Sequence, residues 1–383
     1  MLPTSPAPAP TLSVSVVVPT RDAGAEWPRV LAAVGAQRGV TAEVIVVDSG
    51  SSDQTVSIAD AAGARVIRIE PEDFGHGRTR NLAADAATGD VLLFLAQDAV
   101  LLGEDALHRL VWTLEADSSL AAVSARHVPR SSAERYGAYV VFAHDRAGVR
   151  GSAAARRRGA VAVDTVCTAI RRTAWAEHRF ADVAFAEDLD FGVRATAAGW
   201  TVATSRDVAV AHSHSRDAAY TLRRGVVERL AVAAMLRDDR EAAAARHPPE
   251  LLLAAVPALA AAVQGALAMV DRTRPLQEQL WAVGAALDAR AADRNPQGEL
   301  ARIAAIAADA ATRREGLDAL RDEIASLLSW PVLHEFARAQ RAVPPGDAKR
   351  FVAHLTAAAV GRALGDAYRR AGTAAPAKLV SAV

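Results

Sequence analysis

The stretch "SVSVVVPTRDAGAEWPRVLAAVGAQRGVTAEVIVVDSGSSD", residues 13–53, contains two apolar, β-branched runs that each stop on small polar residues. The first, "SVSVVVPT", closes on a Pro turn; the second, "AEVIVVDSGSSD", closes on Asp48 and Ser49. Between them, "WPRVLAAVGAQ" has helical spacing. The pattern continues with "QTVSIADAAGA" as helix, "RVIRIE" as strand, "PEDFGHGRTR" as loop, "TRNLAADAATG" as helix and "DVLLFLAQDA" as strand. Strands alternating with helices of this length predict an α/β fold: a mostly parallel sheet with helices on both faces. Ligands of such sheets bind beyond the carboxyl ends of the strands. Thr20, Arg21, Asp22, Asp48, Ser49 and Asp98, each following an apolar run, should therefore line one edge. A dinucleotide site is disfavoured, because no GxGxxG follows the first strand and "PTRDAG" offers no backbone cradle for a pyrophosphate.

Further along, "EDALHRLVWTLEA" reads as helix and "LAAVSARHV" as strand. Residues 129–160 are poor in periodic apolar signal and include "RGSAAARRRGA", which reads as a long mobile insertion beside the site. Order returns at "VAVDTVCTAIRRTAW", where Arg171 and Arg172 suit either surface ion pairs or an acceptor site. Then "FAEDLDFGVRATAAGW" opens a helix on a carboxylate cluster, and "TVATSRDVAVAHSH" is a strand. From about Tyr220 the pattern is helical and alanine-rich, broken at "HPPE", "NPQGE" and "VPPGD". The expected organisation is a disordered leader over 1–12, an α/β domain over 13–225 and an α-helical C-terminal domain over 226–383. The helical part has no second cluster of strand-end polar residues, so no active site of its own is expected there.

Bulk properties narrow the function. The 383 residues are 51% hydrophobic, enough for a substantial core, and 44 basic residues balance 44 acidic ones. A net charge of +0 gives no global field for nucleic acid, so polyanion recognition must be local, and a diphosphate suits it better than DNA. Cys167, the one cysteine, excludes an internal disulfide and a multi-cysteine metal site and fits a reducing compartment, the cytoplasm. "MLPTSPAPAPTL" lacks the basic patch and apolar core of a signal peptide. Leu251 to Val270 has about the length of a bilayer span. Its alanines and the interruptions at Pro257, Gln264 and Gly265 make it read as a buried helix of a soluble bundle.

Asp98, Glu187, Asp188, His212 and His214 are scattered in sequence but all fall near strand ends or helix starts. One carboxylate and one imidazole suit a Mg²⁺ or Mn²⁺ that takes its other ligands from water and a diphosphate. The arginines of "HGRTR" could take up remaining phosphate charge. Each residue also has a plainer reading. Asp98 would serve as a turn residue, Glu187 and Asp188 as dipole partners of the helix they open, and either histidine as a hydrogen-bonded structural group.

The ordered set "VSVVVPTRDAG", "EVIVVDSGSSDQT", "FGHGRTRNLAADAATGDVLLFLAQDA", "AIRRTAW", "FAEDLDFGVRATAAGW" and "VAVAHSH", spanning about residues 13–225, resembles the family 2 inverting glycosyltransferases of GT-A fold, in particular their bacterial rhamnosyltransferase-like branch. The resemblance implies a nucleotide-sugar-binding, Rossmann-like domain that moves a sugar from a nucleotide-diphosphate donor to a hydroxyl of a glycan or lipid-linked acceptor in cell-surface polysaccharide synthesis. A small soluble acceptor, or a binder without turnover, is the alternative. By the same resemblance Pro19 and Thr20 border the base, Asp48 and Ser49 contact base or ribose, and His76, Arg80, Asn81 and Gln97 lie near the diphosphate and sugar. The family's DxD triplet falls on Ala96, Gln97 and Asp98, without its first aspartate, leaving Asp98 as metal ligand. His212 is then the second ligand of the divalent cation with His214 behind it, and Asp188, with Glu187 beside it, is the general base. The expected protein is cytoplasmic, with room for peripheral contact at the inner membrane face and for self-association.

Overall fold

The computed structural model describes residues 12–131, 133, 135–150, 161–213, 216–235, 247–269, 275–292, 304–328, 331–340 and 345–380. Residue contacts divide the chain into two compact units, Met1–Ser131 with Ala147–Ser213, and Ser132–Arg146 with His214–Val383. The cut thus falls after Ser213 instead of near residue 225, and fifteen or so residues of the expected insertion go with the helical unit. Of the expected leader only Leu12 is among the described residues; its N–H donates to Glu115 Oε1 at 2.9 Å.

The first unit is built on strands β1 (Val14–Thr20), β2 (Ala42–Asp48), β3 (Arg65–Arg68), β4 (Val91–Leu95), β5 (Val100–Leu101), β6 (Leu120–Val128), β7 (Cys167–Arg171) and β8 (Thr201–Ala211). They form one sheet in the order β3-β2-β1-β4-β7-β6-β8-β5. β1 is parallel to β2 and β4, β2 to β3, and β6 to β8. β7 runs antiparallel to both β4 and β6, and β5 antiparallel to β8. The carboxyl ends of β1, β2, β3, β4, β6 and β8 therefore share one edge, where β7 begins.

The apolar runs are continuous because both faces of the sheet are covered. Val14, Val16 and Val18 of β1 and Val91, Leu93 and Leu95 of β4 pack with α1 (Trp27–Gly35), α2 (Thr55–Ala61) and α4 (Ala106–Ala116), through Trp27, Val30, Ala59, Leu107 and Leu110. Val17, Leu92 and Phe94 point the other way. They meet Ala83 and Ala84 of α3 (His76–Ala86), Trp175 of the Arg172–His178 helix and Phe191 of the Glu187–Ala197 helix. Burying each large side chain of these layers is worth roughly 1.5–3 kcal/mol.

Three sequence expectations change. "HGRTR" is the opening of α3 and no loop, since the helix starts at His76. Gly77 in that first turn looks like a breaker, but a Cβ there would stand 2.2 Å from Ala181 O, so the glycine serves close packing. Within the expected insertion, Arg135–Arg150 is helix (α5); Tyr136, Tyr139 and Phe142 share one of its faces, Tyr139 being buried in the helical core. Residues 151–160 lie outside the described residues. Arg171 and Arg172, expected in surface ion pairs or at an acceptor site, spend their guanidinium donors on backbone carbonyls. Arg171 donates to the carbonyls of Leu114 at 2.6 Å and Leu120 at 3.2 Å, and Arg172 to those of Gly89 at 2.5 Å and Ala84 at 3.2 Å. Leu114 and Ala84 stand in the last turns of α4 and α3, where carbonyls run short of intrahelical donors.

In the second unit, Leu252, Leu259, Leu280, Leu320, Phe336, Phe351 and Leu364 form the core of a helical assembly. Its Pro249–Met269 helix is long and apolar enough to cross a membrane, with a mean hydropathy of 2.0. Leu251, Leu252, Leu259 and Val263 of that helix are buried, whereas Ala254, Ala258, Ala260, Ala261 and Gln264 are exposed. Its large side chains thus face the unit's own core, as expected of a bundle helix. The Ala218–Met235 and Pro345–Ala371 helices touch backbone to backbone, with Gly225 facing Gly361. A Cβ on Gly361 would lie 2.3 Å from Leu222 O. Gly361→Ala gains about 1 kcal/mol of helix propensity, but overlap with a backbone carbonyl that cannot rotate away costs roughly 1–3 kcal/mol. The overlap wins, so urea unfolding of Gly361→Ala should show a lower midpoint than the wild type; an unchanged or raised midpoint would show that the two helices are not in contact there.

Candidate active site

At the shared strand edge, the loops after β1, β2 and β4 are tied to one another. Thr20 Oγ1 donates to Asp48 Oδ1 at 3.1 Å, and Ser49 N and Oγ donate to Thr20 O at 3.0 and 3.1 Å. Asp48 Oδ2 accepts from the N–H groups of Gly50 at 3.2 Å and Ser51 at 3.0 Å. Asp22, at φ 41°, accepts from Ser52 N at 2.7 Å. Gln97 brackets the backbone of Arg21, accepting from its N–H at 2.8 Å and donating to its carbonyl at 3.1 Å. Pro19 is half-buried beside Thr20. Asp48, Thr20 and Ser49 are almost fully buried, so their side chains set the shape of the edge.

Asp98, three residues past β4, is the centre of a second group. Its Oδ1 lies 3.4 Å from His212 Nε2, and its Oδ2 lies 2.9 Å from an Arg130 guanidinium nitrogen that also donates to the Asp98 carbonyl. The rings of His212 and His127 meet edge to face at 5.5 Å, and His127 Nε2 is 3.4 Å from Asp164 Oδ2. His127 and Arg130 come from the end of β6, and His212 follows β8; the pairing of Val128 with Ala211 sets them side by side. Among the described residues no cluster of three or more His, Cys, Asp or Glu side chains suited to a metal ion occurs. Asp98 Oδ1 and His212 Nε2 nevertheless converge as an oxygen and a nitrogen donor. A hexacoordinate hard cation fits them if a diphosphate and water supply its remaining ligands.

The Glu187–Ala197 helix delivers the third group. Glu187 is buried and forms an ion pair with Arg80 of α3, whose side chain is 11% exposed. Asp188 Oδ1 accepts from Leu189 N at 2.8 Å, and its Oδ2 from Thr165 N and Oγ1 at 3.3 and 3.2 Å. Burial first, and the charge of Asp164 second, push the Asp188 carboxyl above the ordinary carboxylate range, against the lowering pull of Arg80 and the backbone donors. Gly192, one helical turn on, makes this possible. A Cβ there would be 1.9 Å from Val161 O, so only glycine lets the segment leading to Asp164 and Thr165 lie against the helix. Ala186, just before the acidic pair, is left-handed at φ 62°.

Most of the expected residues therefore meet at one edge of the first unit, in different capacities. Asp98 and His212 face each other, while His214 lies outside the described residues. Arg80 is held by Glu187. His76 opens α3 and packs edge to face on Phe74 at 5.0 Å. Asn81 donates to Phe180 O at 2.8 Å and accepts from Trp175 Nε1 at 3.0 Å and Phe180 N at 3.1 Å. Those bonds commit its amide to holding the 175–180 turn. Sequence reasoning missed His127, Arg130, Asp164 and Thr165. His127 and Arg130 obey the strand-end rule applied to β1, β2 and β4, and would have been found by extending it to "LAAVSARHVPR".

The chain is similar to proteins of known class. The family described as Glycosyl transferase family 2 matches residues 15–180. The O-antigen chain rhamnosyltransferase RfbN of Salmonella typhimurium is 34% identical over 212 residues, 53% of this chain and 67% of that protein. WbaN of Salmonella anatum, also an O-antigen chain rhamnosyltransferase, is 37% identical over 123 residues, but these make up only 32% of this chain and 39% of that protein. Among solved structures, the mannosyltransferase PcManGT from Pyrobaculum calidifontis, in complex with GDP-Man and Mn²⁺, superimposes with a TM-score of 0.52 at 23% identity, covering 94% of this chain and 90% of that one, a likeness of fold.

Ala186 offers a direct check of the helix start that presents Asp188. A left-handed alanine costs roughly 1–2 kcal/mol, and glycine removes that strain at an unfolded-state cost of about 0.4–1 kcal/mol. Ala186→Gly should unfold at an equal or slightly higher temperature than the wild type. A clear drop would mean that residue 186 is not left-handed in solution.

Proposed function

Given that the chain belongs to the family 2 glycosyltransferases, with its mixed α/β sheet and helical C-terminal region, we propose that this edge binds a nucleotide-diphosphate sugar and passes the sugar, with inversion, to a hydroxyl of a growing cell-surface polysaccharide. The O-antigen relatives point to a rhamnosyl donor and a glycan or lipid-linked acceptor, in preference to a small soluble acceptor. The observation that carries the reading is the meeting of Asp98 and His212 on one side of the edge with the raised, anchored carboxylate of Asp188 on the other.

Asp188 accepts the proton of the acceptor hydroxyl as its oxygen bonds to the anomeric carbon. The bond from that carbon to the diphosphate breaks on the opposite side, and the nucleoside diphosphate leaves with the electron pair. Glu187 acts by holding Arg80 beside this carboxylate; removing one partner of such a buried pair leaves the other charge uncompensated. Thr20, Asp48 and Ser49 shape the floor for the base and ribose, and His76 and Arg80 lie on the sugar-diphosphate side. Asp98 and His212 would hold a Mg²⁺ or Mn²⁺, which supplies charge stabilisation for the departing diphosphate. A cytoplasmic enzyme touching the inner membrane surface suits a lipid-linked acceptor. The buried leucines of the Pro249–Met269 helix make release by salt, without detergent, the expected behaviour.

The test is transfer from a panel of nucleotide sugars, dTDP-rhamnose included, with Mn²⁺ or Mg²⁺ present. One donor should support turnover, and Asp188→Asn should lower kcat about 10²-fold or more while donor binding by thermal shift stays within a few-fold. Near-normal turnover of Asp188→Asn would remove Asp188 from the chemistry.

The pH dependence has a definite sign. A base must be ionised, so a carboxyl raised by burial and by Asp164 gives an acid limb of kcat above the usual carboxylate range. Asp164→Asn removes the like charge, and the acid limb should move to lower pH. Movement to higher pH, or none, would show that Asp164 does not act on the base.

A further inference from the structure

The two oxygens of Asp98 have different surroundings. Oδ1 faces His212 Nε2, while Oδ2 and the backbone carbonyl are both held by Arg130. The pair is sheltered, with the Arg130 side chain 19% and the Asp98 side chain 24% exposed. Arg130 is positioned from its backbone as well, its N–H reaching Ser213 Oγ at 3.4 Å, next to His212. Its buried Nε makes no hydrogen bond among the described residues, which leaves one donor of the guanidinium unused.

We propose that Arg130 is a resident cation on Asp98 that keeps free divalent metal off the site, so that the metal enters together with a diphosphate. The proposal rests on Asp98 and His212 being the cation's protein ligands. A guanidinium stays charged at every working pH and, in contact with a carboxylate, cancels most of the charge that draws a second cation. A dication arriving alone meets one neutralised carboxylate and a positive neighbour. Arriving with a diphosphate, it brings the negative oxygens that both it and Arg130 need, and the spare Nε–H has an acceptor. Arg130 is in these terms a positioning residue that sets the order of binding.

The experiment is Mn²⁺ titration of the full chain, read as loss of the free-ion electron paramagnetic resonance signal, with Mn²⁺ alone and with a preformed Mn²⁺–pyrophosphate complex. Arg130→Met should bind Mn²⁺ alone about tenfold or more tightly than the wild type, as expected when a charge in contact with a ligand is removed. Arg130→Lys, which keeps the charge, should stay within about threefold of the wild type and guards against a Met variant that fails to fold. The wild type should prefer the pyrophosphate complex to Mn²⁺ alone, and Arg130→Met should lose that preference. Adding Asp98→Asn to Arg130→Met should abolish the gain. If Arg130→Met gains nothing while Asp98→Asn still weakens Mn²⁺ binding in the wild type, Arg130 has no such role although the ligand assignment stands. If Asp98→Asn changes nothing in either background, the ligand assignment itself fails and the proposal falls with it.

Discussion

The reversal of chain direction between β4 and β7 is the constraint on which the rest of the site depends. β4 lies between parallel β1 and antiparallel β7, and all five of its residues are buried. Because β7 runs the opposite way, its beginning sits where β4 ends, and Ala96 N donates to Val166 O at 2.9 Å. A parallel neighbour would have put its own end there. As it is, the turn carrying Asp164 and Thr165 stands beside the loop carrying Asp98, and the Glu187–Ala197 helix can be latched to that turn through Asp188 and Gly192. The separation between the Asp98 group and the Asp188 group is thereby fixed by hydrogen-bonded backbone, the kind of rigidity that positioned groups need.

Much of this was legible in the sequence because β-rich runs buried on both faces leave no place for polar side chains except their ends. That logic found Thr20, Asp48, Asp98 and His212 without knowledge of strand order. It failed where a residue's neighbourhood belongs to another element. Asp164 in "VAVDTVC" precedes its apolar run instead of following one, and only the antiparallel entry of β7 brings it to the edge. Arg130 was hidden by the reading of 129–160 as a featureless insertion, because the aromatic face of α5 is diluted by Gly137 and Ala138.

Glycines misled in a consistent direction. Gly75 and Gly77 looked like loop residues, yet Gly77 lies in α3 because Ala181 O occupies the space of a side chain, and Gly192 and Gly361 have the same cause in their own helices. Conformational preference is a local signal, whereas close approach is a property of two segments far apart in the chain. Asn81 illustrates the same limit for polar groups. Its place in the "GRTRN" run resembles that of a ligand contact, but Trp175 and Phe180 claim all of its described hydrogen bonds.

The arginines at the opposite edge of the sheet carry a different kind of consequence. Arg171 and Arg172 close the ends of α4 and α3, Arg65 donates to Ala86 O at 2.9 Å, and Arg194 reaches Arg179 O at 2.6 Å. No lysine occurs in this unit; the chain's lysines are Lys349 and Lys378. Guanidinium groups do not release their protons under any condition in which a protein stays folded. The scaffold's cationic fastenings are thus electrically constant from mild acid to strong alkali, and a change of pH reaches the frame only through the carboxylates and imidazoles that accompany them.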